Sequence, residues 1–555
     1  FRQLHWVVLP LLCSSLSVVS TCGLLGMFDW EVTVISSNFI SLQLIITMSV
    51  VIHLIVRYRE LICSDPGADQ RQLVLETVVS MAKPCCYAVL TTVAGFSSLI
   101  LCNILPVINF GWMMSAGIGI SLLLTFLLFP ALLMLMPERI PSACKVNFSI
   151  TMTLARLTEA RGGMILTLSV LLLIGSVLGA SRLVVENSFI DYFKETTEIY
   201  QGMKVIDEQL GGTTPLDVLV DFAVEEALPA EAAGTEVTGI LEELEAQFEA
   251  EKGEAQYWFT ARRMQQVEAV HDYLNSLPAT GKVLSLATML KVGRRINDGE
   301  DLDNFQLALI YNELPESYRR IILSPYVSVE HSQVRFALRV RDSEKSLRRN
   351  ELLQTIRRGL TEQLGLEQER VQLAGLLLLY NNMLQSLFTS QILTLGAVVA
   401  ALLVMFLILF RSLKIALIAI FPNLLSVGTV LGFMGWVGIP LDMMTITIAA
   451  ISVGIAVDDT IHYIHRFERE YARDRNYLAA MHRCHGSIGY AMYYTSVTIV
   501  IGFSILVLSN FIPSVYFGLL TVLAMVIALI AALTLLPRLI VVFQPFGPEA
   551  GRDTG

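Results

Sequence analysis

The sequence predicts a polytopic α-helical membrane protein built from two parallel, duplicated helical halves, with a small α/β domain in its one large polar region. Three observations carry this. Hydrophobic residues make up 54% of the 555 and charged residues only 16%, whereas soluble domains carry about a quarter charged. Apolar runs long enough to cross a bilayer recur along the chain. The two ends of the chain also repeat each other in register.

Apolar windows of about 20 residues place ten spans near 4–26, 35–57, 86–104, 108–136, 162–182, 386–410, 413–436, 442–466, 489–509 and 514–543. The blocks 86–136 and 489–543 are too long for one helix each. Asn103-Ile-Leu-Pro106 and Asn510-Phe-Ile-Pro513 supply the turn chemistry that splits each into a helical hairpin. Pro10, Pro422, Pro130 and Pro537 are expected to kink or end helices. Glycines 432, 435 and 454 are expected at close helix approaches. None of the eight cysteines lies between Leu183 and Leu384, so no disulfide framework is expected in the polar region.

Lys and Arg content fixes the orientation. Loops 57–85, 137–161 and 466–488 and the link Arg411–Lys414 are rich in Arg or Lys, and loops around 27–34, 104–109, 437–442 and 510–514 have none. The basic side is read as cytoplasm. The chain then divides into first-repeat spans (1–136), a cytoplasmic linker whose segment 146–160 is amphipathic (137–161), a further span (162–182), an extracytoplasmic α/β domain (183–385), second-repeat spans (386–543) and a cytoplasmic tail (544–555). The amphipathic segment is expected along the membrane surface.

Phe1, Arg2, Leu4, Gly23, Gly26, Ile52, His53 and Arg57 recur 409 positions later as Phe410, Arg411, Leu413, Gly432, Gly435, Ile461, His462 and Arg466. At offset 407, Gly95-Phe96-Ser97, Asn103, Pro106, Phe110-Gly111 and Pro130 become Gly502-Phe503-Ser504, Asn510, Pro513, Phe517-Gly518 and Pro537. Equivalent positions face the same side, so the repeat is parallel and its pseudo-twofold axis runs along the membrane normal. The second copy has a span before its Phe-Arg pair. By symmetry a whole protein of twelve spans is expected, with a further span, an earlier span and a second outer domain ahead of Phe1.

Asp458 and Asp459 lie side by side within the span 442–466. Ionisable residues at membrane depth cost several kcal/mol (about 2.5–3.5 each on insertion scales), so they mark ion or substrate pathways. Two adjacent carboxylates resist being ionised together, which suits a group that loads and releases a proton. His462 is four residues from Asp458 and three from Asp459, within helical reach of both. Tyr494, Thr495, Ser496 and Thr498 on the next span are candidate hydrogen-bond partners; the plainer reading is that they aid helix packing. His462 and His465 are three apart with no acidic or cysteine ligand assigned beside them, and no metal site is read there.

Residues 183–385 hold 33 acidic and 20 basic residues, leaving the remainder slightly basic. Strand-like alternation at 216–222, 333–340 and 370–375, with helical periodicity at 261–275 and 347–364, gives a small α/β sandwich with an acidic helical insertion near 225–255. The acid run 242–254 reads as a solvated helix face. No phosphate-cradling glycine loop is present, so ATP-driven transport has no support and no cofactor is expected. No nucleophile–base constellation suggests an enzyme, and the acidic balance disfavours nucleic acid.

The segment GIAVDDTIHYIHRFERE (454–470), the Gly-Phe-Ser spans, the Phe-Gly openings at 110–111 and 517–518 and the duplicated plan together resemble the resistance–nodulation–division superfamily. The bacterial MMPL-type exporters are the most similar branch, and Patched and sterol-sensing-domain proteins are more distantly similar. The resemblance implies a ferredoxin-like, porter-type outer domain and a proton relay of carboxylates in the fourth and tenth spans. Asp458 and Asp459 match the tenth-span positions, with His462 beside them. The fourth-span equivalents are Ser49 and Val50, so acidic chemistry is expected in one half alone. The resemblance also implies proton-driven export of lipids or other hydrophobic or amphiphilic molecules from a bacterial inner membrane. The partners would be protons, membrane lipids and that substrate; a homo-oligomer or a periplasmic partner stays open. The alternative is a lipid sensor or scaffold akin to sterol-sensing domains, without net transport.

Overall fold

The computed structural model describes residues 5–33, 35–65, 67–135, 149–185, 188–222, 258–303, 306–307, 314–344 and 347–549. The repeat residues Phe1, Arg2 and Leu4, the start of the amphipathic segment and the acidic insertion at 225–255 lie outside these residues. The chain forms two compact units, residues 1–187 with 384–555 and residues 188–383.

The first unit is helical. Its elements are α1 (His5–Met27), α2 (Phe39–Ser64), α3 (Gln70–Ser97), α4 (Leu105–Leu135), α5 (Ser149–Ala160) and α6 (Gly162–Ala180). Among the described residues, ten helices are long and apolar enough to cross a membrane, the number the apolar windows predict. Several run past those windows. The segment predicted at 86–104 begins at Gln70, and a segment predicted from 386 is one helix from Leu376 to Phe410. A hydropathy window sees only the part of a helix that needs lipid, while its polar turns continue with the same backbone hydrogen bonds.

In each half, a 3₁₀ turn (Ser98–Leu101, Ile505–Leu508) ends one helix of the predicted hairpin. The next begins at Leu105 or at Ile512, where Pro513 occupies the first turn and needs no N–H partner. The repeated glycines explain the tight return. A Cβ on Gly111 would stand 2.7 Å from the Phe96 carbonyl, and one on Gly518 would stand 2.7 Å from the Phe503 carbonyl. Phe96 meets Phe110 edge-on at 5.9 Å, and Phe503 meets Phe517 likewise at 5.9 Å. Gly432 and Gly435 press against Ser176 and Gly179 of α6, so these glycines serve close packing.

Of the prolines expected to kink or end helices, Pro10, Pro130 and Pro422 sit inside helices and do not end them. A proline cannot donate to the carbonyl four residues back, and the helix Ile512–Leu533 does break ahead of Pro537 before resuming at Leu535–Phe543. The Leu533 carbonyl pairs instead with His485 Nε2 at 2.8 Å. The helix α5 turns Thr151, Ala155 and Thr158 inward and leaves Ile150 exposed.

The second unit holds α7 (Glu198–Gln209), β1 (Thr214–Asp221), α8 (Ala261–Ser276), β2 (Thr280–Leu284), α9 (Leu286–Ile296), α10 (Glu316–Ile322), β3 (Val327–Ser328), β4 (Gln333–Val340), α11 (Arg349–Arg358) and β5 (Val371–Ala374). The sheet is antiparallel in the order β2-β4-β1-β5, with β3 paired to β4. Leaving the two-residue β3 aside, this is the βαββαβ ferredoxin-like plan. Alternate residues Leu216, Val218 and Val220 of β1 and Val334, Phe336, Leu338 and Val340 of β4 are buried against Val267 and Leu274 of α8 and Ile356 of α11. Strand β2 escaped the alternation reading because it is short and half polar (TGKVL). Helix α11 ends six residues before the predicted limit and passes into a π turn, Gly359–Gln363.

Asp207 fastens this unit. The buried carboxylate accepts from the backbone N–H groups of Thr213, Asp342 and Ser343 and from the hydroxyls of Thr213 and Ser343. It thereby ties α7 to the start of β1 and the end of β4. Burial opposes ionisation, but the hydrogen bonds from Ser343, Thr213 and Asp342 outweigh it and hold the carboxyl below its ordinary range.

Candidate functional site

Helix α12 (Leu376–Phe410) starts in the second unit and enters the first at Leu384; the remaining helices of the first unit are α13 (Leu413–Val437), α14 (Thr445–Asp474), α15 (Tyr477–Gly486), α16 (Ile488–Ser504), α17 (Ile512–Leu533) and α18 (Leu535–Phe543). Helix α14 carries both aspartates. The most apolar stretch of α14 is 94% buried, against 22% for α6, so α14 is an inner helix shielded from lipid. It lies against α3 at glycine distance. A Cβ on Gly95 would stand 3.0 Å from Gly454 Cα, and the Thr92 hydroxyl donates to the Gly454 carbonyl at 3.0 Å.

Successive residues on a helix point about 100° apart, and the two carboxylates diverge accordingly. Asp458 Oδ1 lies 3.2 Å from His462 Nε2, and its Oδ2 lies 3.5 Å from His53 Nε2. Asp459 accepts a hydrogen bond from the Ser496 hydroxyl at 3.2 Å. His462 lies near both carboxylates, as its helical spacing predicts, but its ring nitrogen meets Asp458, and Asp459 turns toward α16.

His53 and His462 stack, with ring centroids 4.2 Å apart and planes 11° from parallel. They are equivalent residues of the repeat, and face-to-face contact of equivalents is what a pseudo-twofold axis passing between α2 and α14 produces. The first half thus contributes an imidazole to Asp458, although its own aligned positions are Ser49 and Val50. Sequence reasoning noted His53 as the repeat partner of His462, near the cytoplasmic end of its span, with proton handling and structural or interfacial roles both open, but did not place it beside Asp458. The signal that locates it is the repeat itself, since a residue near the axis meets its own copy.

Of the four candidates on α16, only Ser496 reaches an aspartate. Thr495 bonds the carbonyls of Ala491 and Met492, and Thr498 bonds that of Tyr494. The Tyr494 ring packs edge-on against Tyr490 at 5.0 Å. Asn423 of α13 adds a contact that was not foreseen, donating to the Thr460 hydroxyl at 3.2 Å.

A cavity of about 480 Å³ reaches this cluster; His53, Arg57, Glu60, His462, Arg466 and Tyr490 are among its lining residues. Along α2 it runs from His53 to Ser64, about 16 Å at 1.5 Å per residue, toward the basic loop end. Glu60 binds Arg57 at 2.8 Å and Arg466 at 3.0 Å, another repeat pair joined across the halves. One ligating atom from each of His53, Asp458 and His462 lies within 4.8 Å of the others. Those three, not His462 with His465, have ligand spacing among the described residues.

Among the described residues, ten membrane-length helices in two repeated halves, packed around a buried acid–imidazole cluster, define a multi-pass membrane protein. The chain belongs to the MMPL family, whose model matches residues 1–148 and 197–554. A membrane protein of Methanocaldococcus jannaschii is 32% identical over 140 residues, which is 25% of this chain and 36% of that protein. The chain thus aligns with little more than a third of that relative. Among solved structures, the fold is similar to the hedgehog release protein Disp from the water bear Hypsibius dujardini (TM-score 0.61, 14% identity, 98% of this chain and 68% of that one). It is also similar to SecDF, a translocon-associated membrane protein from Thermus thermophilus (TM-score 0.52, 13% identity, 97% and 59%).

Proposed function

We propose that the protein uses the proton-motive force to export lipids or other hydrophobic or amphiphilic molecules from a bacterial inner membrane. Residues 183–385 would lie on the extracytoplasmic side. The observation that carries this is the pair Asp458 and Asp459 within α14, met by His462, His53 and Ser496 and reached by a cavity from the basic end. Two neighbouring carboxylates disfavour being ionised together, which suits a site that takes up and releases a proton. His462 and His53 offer imidazole nitrogens to pass a proton onward, and His53 makes the path depend on both halves. Each proton moved down 100 mV releases about 2.3 kcal/mol, enough to bias two conformations of the halves by roughly fiftyfold. Membrane lipids and a hydrophobic cargo are the partners this reading requires.

The test is release of labelled lipid from energised membrane vesicles by wild type and by the D458N/D459N variant, each checked for normal folding. Release that stops in the variant and with a protonophore supports the proposal. Release unchanged by both removes proton coupling, and wild-type release no faster than from protein-free vesicles leaves the lipid-sensor alternative.

A further inference from the structure

Arginine collects in the outer part of the cavity that leads to the acid–imidazole cluster. Arg57 and Arg466 each lie four residues beyond a histidine of the stacked pair, about 6 Å toward the basic end at 1.5 Å per residue. With Arg59 and Arg469 they put four guanidinium groups in the lining, against one carboxylate, Glu60. We propose that this vestibule is a binding site for a terminal phosphate group, carried by a lipid phosphate monoester or present as free phosphate.

The duplication explains how the surplus of positive charge arises. At the offset of 409, Arg59 matches Glu468 and Glu60 matches Arg469, so the two halves carry the same charges in swapped order. Glu468 is exposed and lies outside the lining. The cavity therefore receives the arginines of both halves and the acid of one. Glu60 bridges Arg57 at 2.8 Å and Arg466 at 3.0 Å. Two further acids touch this pair without lining the cavity: Glu76 stands 3.9 Å from Arg57, and Glu470 stands 3.1 Å from Arg466. Glu470 is already shared with Arg473 and Arg483. Arginines at a membrane surface normally extend their charged heads into water. Arg57 and Arg466 keep only 19% and 22% of their side chains exposed, and low-dielectric walls focus their field on an anion in the cavity.

Size and chemistry favour phosphate. A volume of about 480 Å³ lies within the span of small-ligand sites, about 300–1,000 Å³. The guanidinium fork matches phosphate oxygens two at a time. A terminal phosphate offers three acceptor oxygens and a charge of about −1.5 to −2 at pH 7, so it can bridge arginines of both halves, whereas a carboxylate has two oxygens and one charge. Basic pockets between membrane helices are also recurrent seats for lipid head groups. Because the arginines come from α2 and α14, one phosphate would join the two halves. Binding here does not depend on the proton-driven reading, so either can fail without the other.

The experiment is calorimetric titration of the purified full chain in detergent with short-chain phosphatidic acid and, separately, with inorganic phosphate. One site per chain is expected. Affinity should fall at least about tenfold in R59Q/R469Q, which removes two charge-assisted hydrogen-bond donors. It should stay within about twofold in R71Q/R475Q, which removes two exposed arginines of the same basic end that lie outside the lining. Circular dichroism and gel filtration confirm that each variant is folded. Binding of the lipid alone assigns the site to a head group, and binding of inorganic phosphate at equal or higher affinity assigns it to free phosphate. No saturable binding of either, wild-type affinity in folded R59Q/R469Q, an equal loss in R71Q/R475Q, or equal affinity for short-chain phosphatidylcholine would overturn the site.

Discussion

Asp459 is met by the Ser496 hydroxyl at 3.2 Å, so this serine is the most direct lever on its protonation. A hydrogen bond to a charged group contributes about 1.5–3 kcal/mol. S496A should therefore lower transport roughly tenfold or more near neutral pH and displace its pH profile, while S496T restores both. Flux measured across a pH series checks this. The aspartate pair was legible in the sequence because two charges interrupt a run that otherwise suits lipid. Ser496 was legible only as one of four polar residues, since sequence spacing does not tell which face of α16 meets α14. His53 lies 409 residues from His462, and no local pattern joins them. The duplicated register does, once the axis is imagined to pass between equivalent residues.

The repeat is read most directly in its helices. The Phe-Gly openings and the Gly-Phe-Ser spans form one packing unit twice, with Gly111 under the Phe96 carbonyl and Gly518 under the Phe503 carbonyl. A methyl group there must move backbone, at a cost of about 1–3 kcal/mol. G111A and G518A should lower the melting temperature in detergent, and G119A, whose Cβ meets nothing within 4 Å, should leave it unchanged or slightly raised. Helix lengths were less legible, because polar turns such as Gln70–Thr77 continue a helix without any apolar signal. In the other unit, the two long strands stood out by alternation, whereas the role of Asp207 did not. A single acid among 33 carries no mark of burial, and its five hydrogen-bond donors come from three residues in two separate segments, Thr213 and Asp342–Ser343.

Asp207 also predicts how that unit responds to acid. Its carboxyl is held below the ordinary range in the folded state, so its contribution is fully present above the unfolded carboxylate value near 4. That contribution is lost as pH falls through the lower folded value. D207N should destabilise residues 188–383 by about 2 kcal/mol at neutral pH and flatten the acid limb of its unfolding. Hydrogen exchange of β1 and β4 between pH 3 and 7 measures both.

At the scale of the whole molecule, the two halves share a shape and divide the chemistry. Carboxylates come from α14, an imidazole from α2, and the stacked pair His53–His462 sits where the halves meet. The expectation of a site confined to the second half is thus sharpened: the acids are confined to it and the site is not. The Lys and Arg distribution further predicts sidedness. In a background lacking reactive cysteines, a cysteine at Ser332 should react with an impermeant maleimide on intact cells, and one at Arg475 should react only after permeabilisation. Equal labelling of both would reverse or void the proposed topology.

The central claim is that protons pass through the aspartate pair. Proteoliposomes containing a pH-sensitive dye report it directly. Under an imposed potential and with a hydrophobic cargo present, wild type should acidify the interior faster than empty liposomes, and folded D458N and D459N should each fall to the empty-liposome rate. Proton uptake by the D458N/D459N variant at the wild-type rate would contradict the account.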